Sequence, residues 1–353
     1  MSRFTDAALL LQKLSELSSS LSVECGDSLD LFDHPLEILE DVMGFDLSVL
    51  YRVSNTIGDY LILEVVKVID RQGKRPELAE GKRLRLNLRE AEGVFINEIS
   101  AFNKKGLSAL NVPGSGCDLV GYIHIAEVSG GAYLLGGDLL ASEAKVQSFE
   151  ISVCEIMCNF FSTLLLRLHY QHLATFDSLT GLYNSRKIRG ELDTALKRIR
   201  RGDHRPLSIV MVDIDHFKRL NDEHSHLQGD RVLEEVGKLF SGQIRSDLDL
   251  VGRYGGEEFL ILLENTGFED AKTTMERMRA AIEEHPFTQV GEDGQAVEGK
   301  TLRVTMSFGI SSLQEGMEAP LSECFLAHAD GMLYQSKKTG RNKVSAGLFS
   351  VDS

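Results

Sequence analysis

The sequence predicts an α+β protein of two domains joined by one long helix. Three observations carry that expectation. The chain has 353 residues, about two domains' worth. Before residue 145, apolar runs rich in Val, Ile and Tyr stand between turn signals, as in an antiparallel sheet. After residue 176, helical and strand patterns alternate, and the 142–175 stretch in between contains neither Gly nor Pro. The boundaries expected are 1–145, 146–175 and 176–353.

In chain order, Leu9, Leu10, Leu14 and Leu17 recur at helical spacing within 4–21, and a second helix is predicted over 34–43. Strands are predicted over Leu47–Val53, Tyr60–Ile69 and Leu119–Val128, with turns at Ile57-Gly58-Asp59 and Ser129-Gly130-Gly131. A helix over Arg89–Phe102 interrupts them. In the linking stretch, Val146, Phe149, Val153, Ile156, Phe160 and Leu164 approach a heptad spacing. That spacing fits either the last helix of the first domain or a coiled coil that pairs two copies. Beyond it, Leu207–Ile214 reads as a buried strand and Val232–Gln243 as a helix. Leu250–Arg253 and Phe259–Leu263 form a hairpin around Gly255-Gly256. Helices over Glu269–Glu284 and Ser322–Ser336, and strands over Leu302–Ser311 and Asn342–Val344, complete the domain.

Hydrophobic residues make up 42% and charged residues 26%, an ordinary globular balance with a net charge of −15. Such acidity argues against nucleic-acid polymers and anionic membranes as partners, but not against one phosphate ligand held at a local site. No run reaches the 18 or so uninterrupted apolar residues of a membrane span, and no signal-peptide pattern opens the chain. The five scattered cysteines read as reduced thiols, with Cys154 and Cys158 packed on one helical face. A cytoplasmic location is expected.

Three local features carry chemistry. Gly255-Gly256 removes two Cβ atoms at a hairpin tip, so a ligand can approach the backbone there, although Gly-Gly is also a common plain turn. Glu257 and Glu258 follow at once, while Asp213-Ile214-Asp215 ends the buried strand. Carboxylates at the ends of neighbouring strands can share a hard cation such as Mg²⁺ together with substrate phosphates. Lys337, Lys338, Arg341 and Lys343 then place a local +4 in an acidic chain, either to complement a helix C-terminus or to clamp phosphate. Carboxylates, cation and basic clamp together suit phosphoryl or nucleotidyl transfer.

Residues 175–345 resemble the GGDEF family, the diguanylate cyclases. The motifs that carry the resemblance are Asp177 to Asn184, Asp213 to Lys218, Asn221-Asp222, His226, Gly229-Asp230, Gly255 to Phe259, Ser307-Phe308-Gly309 and Lys337 to Asn342. The Gly136-Gly137-Asp138 triplet is a chance likeness, since Leu139-Leu140 follow it. The resemblance implies a nucleotidyl-cyclase palm with a ferredoxin-like central sheet and flanking helices. It implies one GTP per domain and a homodimer in which two GTP become cyclic di-GMP and two pyrophosphates. Asp213, the Ile214 carbonyl, Glu257 and Glu258 match the positions that hold Mg²⁺ (or Mn²⁺), and Glu257 also matches the residue that activates the 3′-hydroxyl. Asn221 and Asp230 match the guanine readers. Lys218, Lys337 and Arg341 match the phosphate contacts, and Gly255 and Gly256 let the nucleotide lie on the hairpin. The alternatives are a non-catalytic GTP-binding module and a relaxed cyclase making mixed dinucleotides.

Two departures matter. Product-inhibited members carry Arg-x-x-Asp before the signature; here Asp249 is in place, but Ser246 stands where the Arg belongs and Arg245 is one residue off. Product inhibition is therefore expected to be weak, with Arg277 as a remnant of that allosteric site. The family's usual Gly at position 225 is Ser225 here. The first domain resembles GAF-type sensors in layout alone, with an unknown small ligand or none.

Overall fold

The computed structural model describes residues 36, 45–71, 73, 75, 78–90, 93–112, 116–125, 131–139, 148–245, 248–291 and 294–350. The helices expected over 4–21 and 34–43 (Leu36 apart), Gly130, Val146, the Phe149 side chain and Ser246 lie outside the described residues. The chain divides into two compact units, 1–169 and 170–353.

The first unit is built on six strands: β1 (Leu47–Ile57), β2 (Tyr60–Asp70), β3 (Arg83–Asn87), β4 (Ser108–Val112), β5 (Gly116–His124) and β6 (Ala132–Leu139). They pair antiparallel in the order β3-β2-β1-β6-β5-β4. Alternation assigns Leu47, Val49 and Tyr51 to the face covered by Ile99 and Ala101 of α1 (Ile96–Lys104). Leu50, Leu119 and Leu135 face the other way, toward Val153, Met157, Phe161 and Leu164 of α2 (Ser148–Thr175). A Cβ on Gly121 would stand 2.1 Å from Cys158 Sγ, so the absence of a side chain there lets α2 lie close to the sheet.

Several elements in this unit differ from expectation. The helix read over Arg89–Phe102 begins only at Ile96, because Arg83–Asn87 pairs with β2 and Gly93 takes a φ of 146°. Strands β3, β4 and β6 were not foreseen: β3 and β4 are short, and the glycines of β6 hide its period. The six-residue heptad is not one seam. Val153 and Leu164 are buried in this unit's own core, whereas Ile156 is 43% exposed. By length and average hydropathy alone Ile151–Thr175 could cross a membrane, although polar residues interrupt it and a third of its most apolar window is buried within the protein.

The second unit centres on β7 (Leu207–Ile214), buried along its whole length. The five-stranded order is β13-β12-β7-β9-β8, with β8 (Leu250–Arg253), β9 (Glu258–Glu264), β12 (Met306–Leu313) and β13 (Val344–Leu348). Its connections run strand–helix–strand–strand–helix–strand, the ferredoxin-like order expected. Helices α3 (Ser185–Arg200) and α7 (Ser322–Lys338) cover Ile209, Met211, Leu260 and Leu262. Helices α5 (His226–Gln243) and α6 (Phe268–Glu284) cover Val210, Val212, Phe259 and Ile261 on the opposite face. Helix α3, the short α4 (Phe217–Glu223) and the separate β10–β11 ribbon (Phe287–Val290 with Ala296–Leu302) were not foreseen. The strand expected over Leu302–Ser311 runs instead from Met306 to Leu313, and the last strand starts at Val344. The ribbon strands and α4 are short, whereas α3, though polar on average, carries Ile188, Leu192, Ala195 and Leu196 at helical spacing, a signal that could have found it.

Candidate active site

Strand register gathers the carboxylates. Asp213, near the end of β7, lies directly opposite Glu258 on β9 and opposite Ser307 on β12. Ile214 N–H donates to the Glu257 carbonyl at 3.3 Å, so the hairpin tip is laced to the end of β7. Within the hairpin, the Tyr254 and Gly255 amides both donate to the Glu258 carbonyl, at 2.8 and 3.2 Å. A Cβ on Gly255 would stand 2.7 Å from Glu258 Oε2, while the space around Gly256 is open. The first glycine thus makes room for a carboxylate and the second leaves the tip bare.

Arg253 was missed as a functional candidate, although it opens the motif. Its Nε and Nη2 donate to the Gly256 carbonyl at 3.2 and 2.7 Å, and its Nη1 lies 3.3 Å from both oxygens of Asp177. Burial opposes ionisation of Asp177, but hydrogen bonds from Thr180 and the Arg253 charge hold its carboxyl below the usual range. One guanidinium therefore ties the hairpin tip to the loop before α3.

The basic arm meets the acids at Lys337, whose Nζ is 2.8 Å from Asp213 Oδ2. Burial pushes the Asp213 carboxyl above its ordinary value; Lys337 opposes that rise, Asp215 adds to it, and Arg341 opposes it as well. Glu257 is raised too, by burial and then by the Asp213 charge, against the pull of Lys337. Asp213, Glu257, Glu258, Lys337 and Arg341 thus form one electrostatic unit.

Asn221 and Asp230 form a second group on α4 and α5. Asn221 Oδ1 is buried without a hydrogen-bond partner among the described residues, and a Cβ on Gly229 would stand 2.0 Å from it. The amide fills the space a side chain at position 229 would take, so a larger residue there would displace Asn221. Asp230 is exposed on α5, and Lys218 is exposed in the first turn of α4, just past the end of β7. Ser225 takes an extended conformation and caps α5, its hydroxyl accepting from the Gln228 amide at 3.2 Å. The residue that departs from the family pattern thus makes a local bond that glycine cannot make.

The allosteric candidates line a separate cleft of about 370 Å³ that includes Arg245, Asp249, Thr266, Asp270 and Arg277. Arg245 forms a fork with its own Asp249. Its Nε and Nη2 reach Asp249 at 2.8 and 2.6 Å, and Nη2 also meets the Glu264 carbonyl and Thr266 Oγ1 at 2.8 and 2.7 Å. One turn of separation lets the side chain fold back onto its own acid.

The donor set at Asp213, Glu257 and Glu258 is made of hard oxygens. Among the described residues no three His, Cys, Asp or Glu side chains close into a metal cage. Mg²⁺ needs no such cage, since it is bound by one or two carboxylates plus phosphates and water. The partly desolvated Asp213 and Glu257, with Lys337 as their cationic neighbour, fit a divalent ion that arrives with a triphosphate.

Residues 174–343 match the family model described as the diguanylate cyclase GGDEF domain. This part of the chain is a GGDEF domain. The chain is similar to the response regulator PleD of Caulobacter vibrioides, 39% identical over 176 residues that cover 50% of this chain and 37% of PleD. A diguanylate cyclase of Vibrio cholerae is 39% identical over 199 residues, covering 56% of this chain and 58% of the relative. The solved active GGEEF domain of a diguanylate cyclase from Vibrio cholerae is 36% identical, with 48% of this chain and 99% of that chain covered and a TM-score of 0.39. The chain therefore spans less than two thirds of the length of these curated relatives.

Proposed function

We propose that this protein is a diguanylate cyclase that joins two GTP into cyclic di-GMP and releases two pyrophosphates. The observation that carries the reading is the meeting of Asp213, Glu257 and Glu258 at the ends of adjacent strands with Lys337 and Arg341 beside them. In each half-reaction the 3′-oxygen of one GTP bonds to the α-phosphorus of the other. The α–β phosphoanhydride breaks, pyrophosphate leaves with the electron pair, and the hydroxyl proton passes to Glu257. A raised carboxyl pKa suits that step, because it brings proton affinity closer to the working pH. A divalent ion held by Asp213, the Ile214 carbonyl, Glu257 and Glu258 would neutralise phosphate charge. Lys337 and Arg341 take the triphosphate, with Lys218 at its other side. Asn221 and Asp230 read guanine, for which a carboxylate accepts from N1–H and the exocyclic amine.

The two GTP come from two copies of the chain, which pair through α2. Ile156, Thr163 and Tyr170 recur every seven residues, as do Asn159, Leu166 and Leu173. Ile156, Tyr170 and Leu173 are exposed apolar residues, so this stripe, and not the buried one, is the seam. The first unit serves as a GAF-like regulatory domain, which its order of strands, helix, strands and exit helix supports. Product inhibition is weak, because the Arg245 fork is engaged within the protein.

Incubating the purified protein with GTP, ATP and Mg²⁺ and identifying products by mass tests the reading. Cyclic di-GMP alone is expected. GTP bound without turnover, or a mixed dinucleotide, would overturn it.

A further inference from the structure

We propose that Asp215 is a positioning residue that holds the Arg341–Asn342 turn in place for the triphosphate; this rests on the cyclase reading above. Asp215 is 8% exposed, and both of its oxygens are engaged within the protein. Oδ1 accepts from Ser307 Oγ at 2.6 Å, and Oδ2 accepts from Thr305 Oγ1 at 2.8 Å and from the Asn342 amide at 2.9 Å. Its own amide donates to the Thr305 carbonyl at 2.9 Å. The carboxylate therefore bridges the end of β7, the start of β12 and the turn after α7.

That turn needs holding. Arg341 and Asn342 are consecutive non-glycine residues in the left-handed region, with φ of 62° and 44°. Side chains rarely adopt that conformation, and such backbone persists only where the surroundings impose it. The Asn342 side chain adds two further ties, donating to Glu283 Oε1 at 2.8 Å and accepting from Arg279 Nη1 at 2.9 Å. The Arg341 amide donates to the Ser336 carbonyl at 3.0 Å. Asp215 is the tie that runs to the strand carrying Asp213, two residues away. It thus couples the position of Arg341 to that of the acidic half of the site. Its charge-assisted bonds are short and buried, the condition under which they are strongest.

The test is a double-mutant cycle on binding of a non-hydrolysable GTP analogue with Mg²⁺, measured by calorimetry on the full chain. Asp215→Ala and Arg341→Ala are each expected to weaken binding at least tenfold, and the double variant to bind no more weakly than Arg341→Ala alone. That non-additivity is what action through Arg341 requires, and general loosening of the fold does not produce it. Asp215→Asn, which keeps one acceptor oxygen and the side-chain shape, is expected to lose less in the same cycle; it carries the test if the alanine variant does not fold. Wild-type affinity in both Asp215 variants, or losses that add to that of Arg341→Ala, overturns the inference alone. A wild-type protein that binds no GTP analogue overturns the cyclase reading, and this inference with it.

Discussion

At the residue scale, Asp213 and Glu258 face each other across neighbouring strands, a like-charge arrangement that costs stability unless something positive answers it. Lys337 supplies part of that charge. Glu257→Gln removes the proton acceptor while keeping shape and most contacts. It is expected to reduce turnover by about a hundredfold or more, with an unchanged circular-dichroism spectrum. In the wild type, turnover should fall on acidification through a pKa above that of an ordinary glutamate, because Glu257 is raised and works ionised. A rate flat down to pH 4.5 would contradict that role. Arg245 makes the opposite point: its donors are spent on Asp249, Glu264 and Thr266. Adding ten micromolar cyclic di-GMP to protein stripped of product should therefore leave most of the initial rate.

At the element scale, α2 carries two apolar stripes with different partners. Val153→Asp puts a charge into the core of the first unit and is expected to unfold that unit at a cost of several kcal/mol. Ile156→Asp with Tyr170→Asp leaves that core alone and should convert dimer to monomer in sedimentation, with loss of turnover. Turnover by a variant shown to be monomeric would contradict pairing through α2. On the other unit, a Cβ on Gly309 of β12 would stand 2.0 Å from the Leu333 backbone nitrogen. Backbone cannot step aside as a side-chain tip can, so Gly309→Ala should destabilise the second unit by about 1–3 kcal/mol, read as a lower melting temperature.

At the scale of the whole molecule, the first unit carries a buried charge cluster that the cyclase reading does not use. Asp118 and Asp138 are cross-strand partners on β5 and β6, Glu98 approaches from α1, and Tyr51 and Arg75 complete the group. Burial pushes Glu98 up to about 7, and its Oε2 has no partner among the described residues. Burial and the Glu98 charge raise Asp118 as well. The folded state then keeps a proton that the unfolded chain has lost, so stability is full below about pH 4.5 and declines as pH rises toward 7. Amide exchange in β1, β5 and β6 should speed up accordingly between pH 5 and 8, beyond the intrinsic rate change. Glu98→Gln should flatten that dependence; an unchanged pH profile in the variant would remove Glu98 as its cause.

Much of the second unit was legible in the chain itself. Leu207–Ile214 is apolar but for Ser208 and Asp213 and is buried at every position, because β7 is covered on both faces, and a run of that kind reads as a strand without any partner. The Gly255–Glu258 hairpin and the Asp213 strand end could be named because their chemistry is local. Strands β3 and β4 could not, since such short segments gain their conformation from neighbours far away in sequence; α3 was legible in principle, from the Asn184 cap and the spacing of Ile188, Leu192, Ala195 and Leu196. What the sequence by itself determined was the inventory of reactive groups, their order and the family they belong to. Only the tertiary structure decided which of two adjacent acids is free to react: Asp213 opens toward Lys337 and Glu257, while Asp215 is spent on Thr305, Ser307 and Asn342. The reason is physical. Asp213 lies on β7 and Asp215 in the turn just past its end, and their fates are set by partners 90 to 127 residues further along, which no local pattern contains.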